Sequence, residues 1–193
     1  MRRIRCIVFG VVVFLFYTVS WGQQAPSAPA SAARVSDDVA AFVAREFGPE
    51  FTPVANIPPM VADFNRDGSE DLAIVATCQG SPLSFSEKMH YKLEDPYGKY
   101  FGFGNPAVST QFNTEEPSRR RHILIVHNWR GTPVGSKFVL VNIPFDHIKL
   151  GNMLLRKHTV QVIETEDEIG VQAAIYWDGK RYHWEATSMN EHR

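Results

Sequence analysis

Nine consecutive residues carry the most definite chemistry in this chain. Asp63-Phe64-Asn65-Arg66-Asp67-Gly68-Ser69-Glu70-Asp71 reads D-x-N-x-D-G-x-x-D. A hard divalent cation such as Ca²⁺ takes six to eight oxygen ligands from a chain that curls round it. Side chains at loop positions 1, 3 and 5 point inward when the chain curls, Gly68 permits the sharp turn, and Asp71 at position 9 closes the shell. The spacing assigns Asp63, Asn65, Asp67 and Asp71 as Ca²⁺ ligands, with Glu70 outside. An EF-hand needs a bidentate Glu at position 12, where this chain has Ile74, and the flanks read as strands. The competing reading is a polar turn rich in Asp and Asn that holds no metal. Mg²⁺, which keeps its waters, suits such a loop less well.

The other reactive-looking residues have plainer readings. Of the seven histidines, His122 and His127 bracket one strand but, five apart, face opposite sides. No H-x-x-x-H or H-E-x-x-H occurs. Cys78 paired with a distant histidine is the arrangement of a thiol hydrolase, but its apolar neighbours raise the thiol pKa and make it inert. No G-x-S-x-G elbow is present. Arg119-Arg120-Arg121 has the chemistry for a phosphate or carboxylated glycan, or is a solvated strand edge that discourages aggregation. Glu164-Thr165-Glu166-Asp167-Glu168 reads as an acidic turn without the burial that separates paired carboxylate pKa values. Trp177, Tyr182 and Trp184 suit a sugar-stacking platform or ordinary cross-strand packing on a hairpin.

Residues 60–75, Met-Val-Ala-Asp-Phe-Asn-Arg-Asp-Gly-Ser-Glu-Asp-Leu-Ala-Ile-Val, resemble the core of an FG-GAP/VCBS-type repeat. The resemblance implies a strand, a calcium loop and a second strand, with Asp63, Asn65, Asp67 and Asp71 as ligands. It covers about 20 residues, a motif-sized match. A propeller needs several such blades, and only one copy is present. The resemblance therefore supports a calcium-loop hairpin and no propeller, and it implies no catalytic activity.

The surrounding elements must position that loop. Val39, Phe42, Val43 and Phe47 form one apolar stripe after Ser36 as N-cap, stopped by Gly48-Pro49, which predicts an amphipathic helix over 36–47. Met60–Phe64 and Leu72–Cys78 flank the loop as strands. Ile123–Val126 and Phe138–Val141 are unbroken apolar runs, the pattern of strands buried on both faces. Val160–Glu164 and Val171–Trp177 follow, and Asp178-Gly179 joins the last strand pair in a turn that needs positive φ. The expected fold is α+β: a mainly antiparallel sheet of six or seven strands with the N-terminal helix packed on it. Between Gln79 and Arg121 no periodicity is clear. Its Asp95–Pro106 stretch, dense in aromatics, glycine and proline, is read as a plug at one end of the sheet or a ligand-facing loop.

The N-terminus carries an address. Arg2, Arg3 and Arg5 precede an apolar run from Cys6 to Val19, and Ser20-Trp21-Gly22 follows. This is a secretory signal peptide over 1–22, cut before Gln23, with the alternative of an inner-membrane anchor over 6–21. The run is short for a bilayer span, so no membrane span is expected after cleavage. Residues 23–35 read as an Ala/Pro/Ser-rich linker, residues 36–188 as a single domain, and 189–193 as a tail. After cleavage Cys78 stands alone, without an internal disulfide partner. A net charge of −1 over 193 residues argues against general nucleic-acid binding. The expected protein is periplasmic or secreted: a non-enzymatic binding or structural module with a structural Ca²⁺. Its rivals are an exported hydrolase with a site at the sheet and the 79–121 segment, and a module that binds a cell-surface glycan or protein through exposed aromatics.

Overall fold

The computed structural model describes residues 30–102 and 121–187. Residues 1–22, read above as a signal peptide, residues 23–29, residues 103–120 and residues 188–193, with the expected tail, lie outside the described residues.

Helix α1 runs Ala30–Glu46 and is followed by strand β1 (Phe51–Pro53), β2 (Met60–Ala62) and β3 (Asp71–Cys78). A short 3₁₀ turn (Pro82–Phe85), α2 (Ser86–Met89), β4 (Lys92–Glu94) and α3 (Pro96–Tyr100) lead to β5 (Arg121–Val126) and β6 (Lys137–Leu140). Strands β7 (His147–Leu155), β8 (His158–Glu166), β9 (Gln172–Trp177) and β10 (Tyr182–Ala186) follow. A six-stranded sheet has the order β1-β3-β5-β6-β4, with β2 also paired to β3, and a four-stranded sheet has the order β10-β9-β8-β7. All pairs are antiparallel except β4 with β6.

The layers follow from the apolar pattern. Phe42 and Val43 of α1, and Phe47 just past its end, bury against Leu72, Ile74, Leu124, Val126, Val139 and Val141 on one face of the large sheet. Ala73, Val75, Ile123, Ile125, Phe138 and Leu140 point the other way and meet Ile163, Ala173, Ile175, Tyr182 and Trp184 of the small sheet. Consecutive residues of β3, β5 and β6 thus feed two different cores, which is why their sequences are continuous apolar runs. Each fully buried side chain of this kind contributes about 1.5–3 kcal/mol.

Two expectations are corrected. Ten strands in two sheets replace one sheet of six or seven. The added strands lack a sustained apolar period: β1 and β4 have three residues each, and β7, whose apolar residues are irregularly spaced, is an edge strand of exposed and half-buried residues with none fully buried. The helix also begins six residues before Ser36. Ala30-Ser31-Ala32-Ala33-Arg34 contains good helix formers and lies just after Pro29, which suits a helix start better than its interior.

Of the Gln79–Arg121 segment, the described part is short helices and turns. Asp95 caps α3, accepting the Gly98 N–H at 2.6 Å and the Asn142 amide at 2.6 Å. Tyr97, Tyr100 and Phe101 gather round Trp184, with centroid distances of 5.0, 4.9 and 6.0 Å. These rings plug one end of the inter-sheet core, and Tyr100 and Phe101 keep half their surface in solvent.

Candidate functional site

The 63–71 loop leaves β2 and enters β3. Met60, Ala62 and Phe64 alternate into the inter-sheet core, so the chain enters the loop already anchored. Arg66 and Gly68 adopt positive φ, 63° and 87°. The Asp63 carboxylate accepts the N–H groups of Asp67 at 3.1 Å and Gly68 at 3.0 Å through separate oxygens. Asn65 Oδ1 accepts the same Asp67 N–H at 2.9 Å, while its amide donates to Asp67 Oδ2 at 2.8 Å. Asp67 Oδ1 accepts the Ser69 N–H at 2.8 Å. Oxygens of Asp63 and Asn65 therefore converge on one point, with Asp67 beside them. The Ser69 N–H and the Asn65 amide hold the Asp67 carboxyl below its ordinary range.

Asp71 is built differently from the other three. It has no exposed surface. Its Oδ2 accepts the N–H groups of Phe64 at 2.9 Å and Asn65 at 3.1 Å, and its Oδ1 accepts the Asn128 N–H at 2.9 Å. Burial pushes its carboxyl up to about 6, against the opposite pull of those three donors. Asp71 thus ties the loop entrance to the turn between β5 and β6. Two more links reinforce that tie: the Trp129 N–H donates to the Glu70 carbonyl at 3.2 Å, and Arg130 pairs with Glu70 at 2.8 Å. The Asp63 N–H donates across to Gln161 Oε1 on β8 at 2.7 Å.

The donor set suits a hard cation. Asp63, Asn65 and Asp67 offer carboxylate and amide oxygens, and each such oxygen has a second lone pair beyond the amide it already accepts. Among the described residues, no three His, Cys, Asp or Glu side chains converge as a cage. A cation here would rely on Asn65, backbone carbonyls and water beside Asp63 and Asp67. His127 lies near the loop, but burial lowers its pKa to about 4, outweighing the carboxylates of Asp67 and Asp63 that raise it. Its ring is therefore neutral at pH 7, with Nε2 at 2.7 Å from the Tyr182 hydroxyl.

The remaining candidates fall into place one by one. His127 packs on Phe138 and Trp177 in the inter-sheet core, whereas His122 meets Phe51 on the helix side, so the two do face opposite ways. Cys78 is half-buried against the helix-side core, and burial and the nearby Glu50 push its thiol up to about 11. That keeps the thiol protonated at pH 7. Arg121 is spent internally, donating to the Phe145 carbonyl at 2.6 Å with its guanidinium 4.7 Å over the Phe145 ring; Arg119 and Arg120 lie outside the described residues. Glu164 sits in β8 and pairs with Lys149 at 3.2 Å, and Asp167 closes the following turn on the Val171 N–H. Tyr182 and Trp184 are buried and Trp177 is half-buried, so these three form no open stacking face.

Sequence reasoning did not find a cleft of about 770 Å³ along β7, β8 and β9, where Arg121, Lys149, Asn152, Glu164, Glu166 and Gln172 are among the lining residues. Its polar side chains come from separate strands and have no common spacing in the sequence.

Compared with models of known protein families, with curated proteins and with solved structures, the chain matches none.

Proposed function

We propose that this protein is an exported binding or structural module without catalytic activity, whose 63–71 loop holds one structural Ca²⁺. The observation that carries the reading is the convergence of Asp63 and Asn65 oxygens on a single N–H, with the Asp67 carboxylate alongside. Asp63, Asn65 and Asp67 hold the ion, and Asp71 closes the site, through its brace on Phe64, Asn65 and Asn128 in the geometry described. Export rests on residues 1–22: a basic start, a short apolar run and small residues before the cut. With three side-chain ligands, the rest of the shell falls to backbone carbonyls and water; the ion is assigned to stability because its loop joins β2 to β3 and is tied to Asn128 and Gln161.

Calorimetric titration of the purified protein with Ca²⁺ tests the metal. Binding with a dissociation constant of about 0.1–1 mM is expected, the range of extracellular modules. Absence of heat in the wild type, or unchanged binding in Asp67→Ala, overturns it. The mass of the protein recovered from cells tests the export: a chain beginning at Gln23 is expected, and an intact Met1 on a cytosolic species refutes it.

A second reading, a module that binds a small ligand, is favoured by the cleft along β7–β9. Glu164, Glu166, Asn152 and Gln172 are among its lining residues, and the Gln172 amide donates to the Glu166 carboxylate at 3.3 Å. Among the described residues, no helix is long and apolar enough to cross a membrane.

A further inference from the structure

Gln161 is a polar residue on the inner face of β8, with the buried Ile163 two residues further along the same face. Its side-chain oxygen accepts the Asp63 N–H at 2.7 Å, a bond between residues 98 apart in sequence. The hydrogen bond fixes the backbone of the first loop residue, whose carboxylate must stay over the Asp67 and Gly68 amides. The same bond holds the long β7–β8 hairpin onto the large sheet. The hairpin's other contacts with the inter-sheet core are the buried Ile163 of β8 and the partly buried Ile148 of β7; β7 has no fully buried residue, and Leu154 towards the turn is 73% exposed. We propose that Gln161 is the positioning residue of the cation loop, through which Ca²⁺ binding tightens the docking of the β7–β8 hairpin on the large sheet. This rests on the calcium reading above. The physical reason is linkage. Whatever the ion contributes by fixing Asp63 is shared with every group that fixes Asp63, so cation and hairpin each raise the other's affinity for the loop.

Hydrogen exchange of residues 158–166, measured with excess chelator and then at ten times the calcium dissociation constant, tests it. Calorimetry on the same samples reads binding separately. In the wild type, calcium slows exchange in β8 by about tenfold, the factor that linkage gives at that concentration. Gln161→Met, similar in size but without the acceptor, still binds calcium, about three to tenfold more weakly. Its β8 exchange then changes less than twofold on adding the ion. Gln161→Glu keeps an acceptor oxygen and restores the calcium-dependent protection. A merely structural role would speed exchange equally with and without calcium. If the wild type binds calcium but β8 exchange does not respond, or Gln161→Met keeps the full response, the proposal is overturned and the calcium reading stands. If the wild type binds no calcium, both fall.

Discussion

Asp67-Gly68 and Asp178-Gly179 are the same dipeptide in two turns of one chain. In both, the glycine has positive φ, 87° and 102°, and an aspartate oxygen accepts the N–H two residues on, at 2.8 Å in each. Beyond that they differ. Asp178 also accepts the Arg181 N–H at 2.9 Å and meets the His183 ring at 2.6 Å, so its contacts stay within five residues and seal one hairpin between Trp177 and Tyr182. The Asp67 loop gathers oxygens of Asp63 and Asn65 as well, and it is tied to residues 57 and 98 positions away through Asn128 and Gln161. An Asp-Gly turn alone closes a hairpin. A candidate cation loop needs several oxygens brought to one place and long-range ties that hold them there.

Removing the tie should break the comparison most sharply. Asp71→Ala leaves three N–H groups without their acceptor, and each unsatisfied buried donor costs about 1–3 kcal/mol. The expected loss is about 3–5 kcal/mol in denaturant unfolding, far above any single change in the 178–181 turn. Asp71→Asn keeps one acceptor oxygen and sheds a buried charge, so its loss should be less than half as large. A loss below 1 kcal/mol for the alanine variant would mean that the loop stands without its brace.

Calcium should act on one turn and not the other. At ten times the dissociation constant, linkage adds about 1.4 kcal/mol to the stability of the fold. Thermal unfolding in chelator and then in calcium should show this for the wild type and for Asp178→Ala, and not for Asp67→Ala. Equal calcium responses in the two alanine variants would erase the distinction between the turns.

Acid should find the 178–181 turn through its carboxylate. Burial pushes the Asp178 carboxyl up, but the Arg181 N–H, the His183 ring and the Lys180 N–H pull it down further, to about 2. A carboxyl depressed on folding contributes stability that is present above its unfolded value, near 3.8, and lost as pH falls through the folded one. The side chain is a third exposed, so the contribution is about 1 kcal/mol after solvent screening. The difference between wild type and Asp178→Asn should shrink by that amount between pH 4 and pH 2. A constant difference over that window would show that the contacts do not depend on the charge.

How much of this was legible in the sequence depends on the distance over which each feature is determined. The stripe Val39, Phe42, Val43, Phe47 marked the helix face that packs on the large sheet, and Ile123–Val126 and Phe138–Val141 marked strands buried on both sides. These are local patterns set by one period and one core. The strand β7 was not legible, because an edge strand with solvent on much of its surface has little reason to alternate apolar and polar residues. The spacing of Asp63, Asn65 and Asp67 was visible for the same local reason as the helix stripe. The geometry of Asp71 was not: spacing placed it as a fourth ligand, while its hydrogen bonds depend on where Asn128 arrives, 57 residues later. Gln161 had no motif at all.

The smallest expected effect compares the two glycines directly. An alanine Cβ would meet nothing within 4 Å at Gly68 or at Gly179, so space does not distinguish them and only conformation matters. A side chain at positive φ costs about 1–2 kcal/mol, partly offset by about 0.4–1 kcal/mol because alanine has less freedom to lose on folding. Gly68→Ala and Gly179→Ala should therefore each destabilise by roughly 0.5 kcal/mol in chelator. The two should separate when calcium is added. Relief of strain at residue 68 swings its N–H away from Asp63 Oδ2, where it now sits at 3.0 Å, and so turns the first ligand of the loop. Residue 179 carries no such bond. Gly68→Ala should then weaken calcium binding by about three to tenfold, on the scale of one lost hydrogen bond to a charged group tempered by partial relaxation, while Gly179→Ala leaves it unchanged. Paired unfolding curves and calorimetric titrations of the two variants make the check. If both bind calcium as the wild type does, Gly68 serves the loop only as Gly179 serves the hairpin, as a residue that lets the chain turn.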